Sequence, residues 1–563
     1  MAAASIPVSA RERTAALILL GAGTLARLPY IFHYRINSDE PQHLHVVWGW
    51  TRGLLQYRDV SDNHSPLFHL LMAPLLALIG ERPNAVVLMR FAMVPLALLA
   101  LWLAYAIAAR LLGRRVAMWS AVLLAFHYDF FFRSIEFRTD NLWTVGWLAA
   151  LAVLVGGPLG AGRVLLTGAA VGATLCVSQK TALMVAALFG GTALVGALSA
   201  DVRRAIPWRR AVRLAAAAAV GFAITPLVVV GFFASKGALG ALTQGALAQN
   251  VLADLGARHE AWRRLLLPLG VVLTAWFALP RLRAAGGDRI RVQRVLVSLV
   301  AALYVLVLES LWPLVTGQDY LPVFPLAAIM VVAELDRWER TCTKRAGNGR
   351  RPSRAPAYTF LAILVAQSGV IVFRGPVWRD RTVQETKLVS DVLRLTNRSE
   401  PVMDTKGETV FRTRPFFAVL ETITMEKLRR GLMRDTIADD IVRTGCFVAV
   451  QDSARFPQSG RAFLNENFVS VGSLRVAGRL LRPSAGGAVP LRFDIAIPGP
   501  YAVVTPGDAA AGTLDGTPYS GSRPLQAGSH EFVPSTRSAP LAVVWARAIE
   551  RGYSPFAMDR NRS

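Results

Sequence analysis

Long apolar stretches interrupted by short polar turns run from the N-terminus to about residue 375, and then the pattern changes. At about 20 apolar residues per crossing, helical spans are predicted near 14–33, 85–112, 116–128, 141–156, 164–178, 181–199, 211–234, 263–280, 294–315, 321–335 and 357–374, about eleven in all. Arg11 and Arg13 precede the first apolar run, which continues to Ile31-Phe32 without a small-residue cleavage site and reads as a retained span. Beyond 375 a helical period (Val383 to Leu395) mixes with short apolar runs such as Cys446-Phe447-Val448-Ala449-Val450, the pattern of a small α/β unit. From about 488, runs such as Leu491–Ile495, Tyr501–Val504 and Leu541–Trp545 are separated by Gly/Pro turns, which predicts a β-sandwich-like end. The expected fold class is therefore an α-helical polytopic membrane protein with a soluble α/β plus β-sandwich region. The expected domains are residues 1–375, 376–487 and 488–563.

Charge orients the spans. Arg110/Arg114/Arg115, Arg203/Arg204/Arg209/Arg210, Arg281/Arg283/Arg289/Arg291/Arg294 and the basic run Arg337 to Arg354 all fall on the side shared with the N-terminus. By the positive-inside rule that side is the cytoplasm. The loop holding Asp39-Glu40, the 129–140 and 235–262 loops, Gly317–Tyr320 and everything after 375 then face outward. The expected location is a bacterial plasma membrane, with the C-terminal domain extracytoplasmic.

Composition agrees, with 53% hydrophobic and 18% charged residues. A net charge of +25 would fit nucleic acid, but the basic residues sit in interhelical clusters and no basic groove with interleaved aromatics occurs. No nucleic-acid partner is expected. Cys176, Cys342 and Cys446 are too scattered for a zinc site or a disulfide framework.

Polar residues beside hydrocarbon are expensive and mark functional positions. In Ile36-Asn37-Ser38-Asp39-Glu40-Pro41-Gln42-His43, Asp39 could act as general base on a hydroxyl, with Glu40 or His43 orienting it or holding a divalent cation; the alternative is a solvated acid or a helix N-cap. Arg133-Ser134-Ile135-Glu136-Phe137-Arg138-Thr139-Asp140-Asn141 is either an active-site network or a structural ion-pair belt. His64, in Asp62-Asn63-His64-Ser65-Pro66, is a hydrogen-bonding residue or a catalyst, and Lys180 either snorkels or meets a phosphate. Gln318-Asp319-Tyr320-Leu321-Pro322 offers a hydroxyl and an amide to an anionic headgroup, or merely kinks a helix. Tyr501, Tyr519, His530 and Trp545 are core residues or hold an acceptor. Asn397-Arg398-Ser399 matches a glycosylation sequon.

In order and sidedness, these motifs resemble the GT-C superfamily of membrane glycosyltransferases that use polyprenyl-phosphate sugars, in particular the bacterial branch related to protein O-mannosyltransferases and the lipid A aminoarabinose transferase. Asp39-Glu40 looks like the family's first-loop acidic motif, Arg138-Thr139-Asp140 like its second, and Gln318–Pro322 like its Arg-Tyr-x-x-Pro lipid-phosphate motif. Two positions depart: Asn63-His64-Ser65-Pro66 stands in place of a Glu-Lys-Pro-Pro type turn, and Gln318 replaces the arginine. The resemblance implies catalytic roles for Asp39, Glu40 and Asp140. It implies a donor-phosphate set of Arg138, Lys180, Tyr320, Gln318 and His64, with Arg258-His259 a further source of charge. It also implies a polyprenyl-phosphate sugar donor, a glycan, lipid or protein acceptor, and inversion at the anomeric carbon. No cofactor is certain, although the clustered acids would permit a divalent cation. A transporter or flippase would also place charges in a helical bundle, and a scaffold presenting the outward domain would need neither Asp39 nor Asp140.

Overall fold

The computed structural model describes residues 8–248, 261–346, 353–451, 453–481, 490–507, 509–535 and 540–556. Arg258, His259, Arg350 and Arg351, which entered the sequence reading, lie outside them. The described residues divide into two compact units, one holding those up to Arg35, Asn63–Met72 and Val87–Asp380, the other Ile36–Asp62, Ala73–Val86 and those from Arg381 onward.

The first unit is helical. Each of the eleven predicted spans falls on helix, but fewer are full-length apolar crossings. Among the described residues six are long and apolar enough: Ala10–His33, Ala85–Leu112, Thr181–Leu198, Trp208–Ser235, Arg289–Leu311 and Ala355–Arg374. Shorter apolar helices are Leu67–Ile79, Thr139–Val155 and Ala161–Leu175. Arg114–Phe126 is too short, and Phe324–Ala346 carries Glu334, Asp336 and Arg337 in its second half. The chain crosses many times, as expected, with segments trimmed by polar ends.

Buried guanidinium groups terminate the first span. Arg27 donates to the Gly23 and Ala125 carbonyls (2.6 and 3.0 Å) and to Ser134 Oγ (3.2 Å), with its charge 4.5 Å from the Phe131 ring centre. Arg90, fully buried, donates to the carbonyls of Ile31, Tyr34 and Arg35 at 2.9–3.1 Å. Carbonyls at a helix end have no partner within the helix, so Arg90 replaces the water that burial excludes and fixes where the chain leaves the bundle. At the predicted cytoplasmic face, Arg115 bonds Glu12, Asp336 and Glu339 at 2.9, 3.2 and 2.7 Å, tying together three segments assigned to one side by charge alone. Gly113 (φ 97°) joins Met93–Leu112 directly to Arg114–Phe126, a single-residue turn that a side chain would strain.

Helices Ala161–Leu175 and Trp208–Ser235 pack through small residues. A methyl on Gly168 would strike the Ala218 carbonyl, one on Gly172 the Phe222 carbonyl, and one on Gly221 the Leu165 carbonyl. This is the Gly-x-x-x-Gly arrangement, in which close backbone approach supplies the dispersion contact that lipid cannot.

The second unit is built on two sheets. Its strands are β1 (Val402–Met403), β2 (Val448–Val450), β3 (Phe468–Val471), β4 (Leu474–Leu481), β5 (Leu491–Ile495), β6 (Gly499–Val504), β7 (Gly512–Leu514), β8 (Thr517–Tyr519), β9 (Arg523–Leu525), β10 (Gly528–Pro534) and β11 (Leu541–Trp545). The larger sheet runs β1-β2-β4-β11-β6-β9, with β3 also paired to β4; the smaller runs β5-β10-β7-β8. β1 and β2 are parallel, as an α/β unit requires. One buried cluster reaches from Val402 to Trp545, and β4 pairs β11 along Leu481↔Leu541. The boundary expected at 487/488 therefore does not divide the core: β6, β9 and β11 extend the sheet begun by β1 and β2, and β11 is buried there along its whole length. Tyr501, Tyr519 and Trp545 lie in this core, Trp545 stacked on Phe447 at 5.2 Å. His530 is held by Asp515 Oδ2 (2.7 Å) and the Gln526 carbonyl (2.9 Å). Tyr501, Tyr519 and Trp545 thus take the core reading, while His530 is only partly buried.

The second unit also contains residues 36–62, so the loop after the first span and the C-terminal region fold as one body.

Replacing Gly172 with Leu should force the helix pair apart and cost about 1–3 kcal/mol, read as a lowered unfolding temperature of the detergent-solubilised chain. A Leu at Gly162, where nothing lies within 4 Å of the added carbon, is the matched control.

Candidate active site

The candidate residues separate into two clusters, one in each unit. The first unit holds Arg138, Asp140, Lys180, Gln318, Tyr320 and His64, and the second holds Asp39, Glu40 and His43.

In the first unit, Asp140 lies in the opening turn of Thr139–Val155, where the free amides of the helix start favour an acid. Arg138 Nε donates to Asp140 Oδ2 at 2.9 Å, with both side chains nearly excluded from solvent. Asn141 anchors the preceding turn by donating to the carbonyls of Glu136 (2.8 Å) and Arg133 (3.1 Å). His64 is near enough to bear on the charge of Asp140. Lys180 forms an ion pair with Asp319, and its ammonium lies 5.9 Å from the ring centres of both Trp143 and Trp312.

Asp319 belongs to the 3-10 turn Gly317–Tyr320 and is completely buried. Its Oδ2 accepts from Thr316 N (2.7 Å) and Thr316 Oγ1 (3.1 Å), while Tyr304 donates its hydroxyl to the Asp319 carbonyl (2.8 Å). Gly317 sits directly against the Arg133 guanidinium, with no room for a side chain. Gln318 is buried in the same turn, and Tyr320 donates its hydroxyl to Glu309. Two acids that sequence reasoning left out of the site, Asp319 and Glu309, thus partner two proposed phosphate ligands. The signal for Glu309 was present: it is an acid inside a predicted span.

A cavity of about 930 Å³ opens in this unit among Met93–Leu112, Ala261–Ala285, Arg289–Leu311 and Phe324–Ala346. Leu273, Phe277, Leu306 and Ile329 line it. Glu309 stands at one end, and Arg294, with Arg281 and Arg337, toward the other. Arg294 and Glu309 share a helix, and at 1.5 Å per residue lie about 22 Å apart along it, a large part of a bilayer's apolar depth.

In the second unit, Asp39 opens the helix Asp39–Thr51; its cap position is Ser38, so Asp39 is not the N-cap. Glu40, fully buried, accepts from Asn37 N at 2.8 Å. Successive helical side chains diverge by about 100°, which turns Glu40 from Asp39, and its carboxylate reaches back to the preceding turn at Asn37. Among the described residues no three His, Cys, Asp or Glu side chains are grouped to hold a metal, so Asp39, Glu40 and His43 do not make the cation site that the sequence would permit.

Asp39 meets a partner that sequence reasoning missed. Lys406, in the turn after β1, forms an ion pair with it, and both side chains are largely buried. The turn is closed by its own acids: Asp404 accepts from Gly407 N (3.0 Å), Thr409 N (3.0 Å) and Thr409 Oγ1 (2.6 Å), and Glu408 accepts from Lys406 N (2.7 Å) and Thr405 N (3.1 Å). Gly407 (φ 95°) lets the turn lie against the helix, where an added methyl would come within 3.1 Å of His45. A separation of 367 residues left no local signal for the pair.

His45 is fully enclosed and bonds the Val410 carbonyl through Nδ1 at 2.8 Å. Burial, and then the charge of Arg414, push it down to about 4, against the upward pull of the Val410 bond, Asp62 and Glu408. Asp62 is itself held by Gln56 (2.7 Å) and Gln42 (3.3 Å).

Comparison with known proteins follows from this geometry. Residues 63–234 match the family described as dolichyl-phosphate-mannose-protein mannosyltransferase. Among solved structures, ArnT from Cupriavidus metallidurans bound to undecaprenyl phosphate superposes with a TM-score of 0.52 at 14% identity, covering 82% of this chain and 98% of that one. Its apo state gives 0.52 at 13% identity, with 83% and 98% covered. The archaeal oligosaccharyltransferase AglB from Archaeoglobus fulgidus, with an inhibitory peptide and a dolichol-phosphate, gives 0.43 at 12% identity, with 83% and 75% covered. A search of curated proteins found no match.

Two predictions follow from the buried charges. Lys180→Met takes the ammonium from the buried Asp319 carboxylate, which should cost about 3–5 kcal/mol; adding Asp319→Asn should recover most of that loss in thermal unfolding of the purified chain. His45 takes its proton near pH 4 when folded and near 6.5 when unfolded. Between these values the unfolded chain binds more protons, so stability falls as pH drops and is unaffected above about 6.5, with a ceiling of about 3 kcal/mol. The unfolding temperature measured from about pH 7 down to about pH 5 should fall in the parent chain and fall less in His45→Gln.

Proposed function

We propose that this chain, a multi-pass membrane protein with the fold of the GT-C superfamily of integral-membrane glycosyltransferases, transfers a sugar from a polyprenyl-phosphate donor to a hydroxyl acceptor on the extracytoplasmic face of a bacterial plasma membrane. The observation that carries the reading is the cavity of about 930 Å³, which ends at Glu309 and so at the residue bonded to Tyr320. A scaffold has no use for a long apolar cavity with an acid, Glu309, at one end, whereas a lipid-linked donor needs an apolar channel for its chain and polar groups for its phosphate.

The chemistry requires little of the protein beyond placement and charge. The acceptor oxygen attacks the anomeric carbon from the face opposite the phosphate, the bond from that carbon to the phosphate oxygen breaks, and its electron pair leaves on the phosphate. The acceptor proton passes to the Asp39 carboxylate. One displacement without a covalent enzyme intermediate inverts the anomeric centre. Asp140 and Glu40 act as positioning acids, Asp140 through Arg138 (2.9 Å) and Glu40 through the turn at Asn37. Arg138, Lys180, Tyr320, Gln318 and His64 are assigned to the phosphate, whose developing charge fixed cations and hydroxyls stabilise without reorganising. The acceptor is a glycan, a lipid or a protein. The two solved relatives were captured with undecaprenyl phosphate and with dolichol-phosphate, which is the class of lipid proposed here.

Asp39→Asn removes the proposed base with little change in shape and should lower transfer by roughly 100- to 10,000-fold. The assay uses purified protein, a radiolabelled polyprenyl-phosphate sugar and membrane glycan extract, with NMR of the product reporting the anomeric configuration. Full activity of Asp39→Asn overturns the base assignment. Absence of transfer from any polyprenyl donor favours transport or scaffolding.

A further inference from the structure

We infer that the end of the apolar cavity opposite Glu309 holds a second lipid, a phospholipid whose anionic headgroup lies among arginines while one of its acyl chains fills the adjoining half of the cavity. The inference needs only the cavity and its charges, and it does not depend on sugar transfer.

The arginines are the first observation. Arg281, Arg291, Arg294 and Arg337 line that end of the cavity, and they come from three helices, Ala261–Ala285, Arg289–Leu311 and Phe324–Ala346. Glu334 is the one acid that lines it with them, and it pairs Arg337 at 2.9 Å with both side chains mostly exposed. The other three meet backbone instead. Arg281 Nη1 donates to the Phe277 carbonyl (2.8 Å), Arg291 Nη1 to the Ala284 carbonyl (3.1 Å) and Arg294 Nε to the Leu111 carbonyl. Among the described residues none of these three forms an ion pair. The charges that bear on Arg294 are those of Asp288, Arg291, Arg340 and Arg337, three cations to one acid. Gathered like charge is unfavourable beside apolar walls, where little water screens it. Elsewhere in the same unit a cation is met by acids, as Arg115 is by Glu12, Asp336 and Glu339. Positive charge toward one face is ordinary in a membrane protein; its convergence on a cavity is the added feature.

The wall behind the arginines is the second observation. Leu273, Phe277, Leu306 and Ile329 form it, and the Arg281 charge lies 5.7 Å from the Phe277 ring centre, at the seam between the basic and the apolar parts. A free phosphate would satisfy the arginines and leave that wall uncovered, whereas a phospholipid covers both. Guanidinium groups donate two N–H bonds at once to phosphate oxygens, and basic pockets between membrane helices bind anionic headgroups. A zwitterionic headgroup brings a cation of its own into a lining that already holds four arginines against one glutamate. The headgroup that fits therefore carries net negative charge, as that of phosphatidylglycerol does.

The test is lipid binding to the full-length chain, purified in detergent and stripped of lipid, measured by native mass spectrometry and by thermal unfolding. Phosphatidylglycerol should bind about tenfold more tightly than phosphatidylcholine with the same acyl chains, and inorganic phosphate should not displace it at equal concentration. The double variant Arg281→Gln/Arg294→Gln should bind the two lipids alike. Arg213→Gln, which removes an exposed arginine outside the cavity, should keep the full preference and so separates the site from general attraction to a basic protein. If the double variant does not fold, Arg281→Gln alone decides, because it leaves the Arg294 bond to Leu111 intact; it should narrow the preference about threefold. Equal binding of the two lipids by the parent chain, a preference undiminished in the cavity variants, or a preference lost equally in Arg213→Gln overturns the inference. Displacement of phosphatidylglycerol by equal inorganic phosphate reduces the site to a free-anion site and overturns the lipid. Undecaprenyl phosphate is the last arm: its binding should survive in the double variant, and a loss as large as that for phosphatidylglycerol would assign the arginines to the donor and remove the second lipid.

Discussion

Charge withdrawn from water has to be matched within the protein, and this constraint shapes both units of the chain. A carboxylate as enclosed as Asp319 would, if left alone, cost more than any single apolar contact returns. It is met by Lys180, by the backbone and hydroxyl of Thr316, and by the hydroxyl of Tyr304 on its carbonyl. The same requirement explains Arg90, which satisfies three carbonyls at the end of the first span, and Arg27, which satisfies two carbonyls and lies against two phenylalanine rings. These arginines hold their charge in place because each bond fixes one end of a helix, and the fixed ends in turn set where the loops begin.

Pairing of this kind also explains why polar groups of the first cluster do not simply wait for a substrate. Arg138 meets Asp140, Lys180 meets Asp319, and the Tyr320 hydroxyl meets Glu309. In the second unit Asp39 and Lys406 form a pair of the same kind, contributed by two segments far apart in the chain that fold as one body. That body joins the loop after the first span to the sheets of the C-terminal region, which gives the soluble region a structural part in forming the Asp39 environment.

Motif chemistry was legible where it depended on local order. Asp39 and Asp140 each stand at the start of a helix that a polar turn followed by an apolar run announces, and Gly317–Tyr320 is a turn just as Thr316 and Asp319, three residues apart, can cap one another. The cation site that Asp39, Glu40 and His43 would permit is not assembled among the described residues, and Glu40 caps the preceding turn at Asn37 instead. Glu309 was legible as well, since an acid inside a predicted span is itself a signal. Lys406 carried none: a lysine in a polar turn of a soluble region looks like any other until the turn is folded onto its helix.

What the sequence determined by itself was therefore everything written in periodicity and short-range chemistry: the apolar segments, the change to strands and turns after about residue 375, and the acids at the helix starts. Hydrophobic spacing and capping act over a few residues, and so they can be read from a few residues. What only the tertiary structure decided was the company each charge keeps, the boundary of the C-terminal core, which β4 and β11 carry across 487/488, and the union of residues 36–62 with the region beyond 381. Those outcomes depend on which distant segments exclude water together, and a buried charge is indifferent to how many residues separate it from its partner.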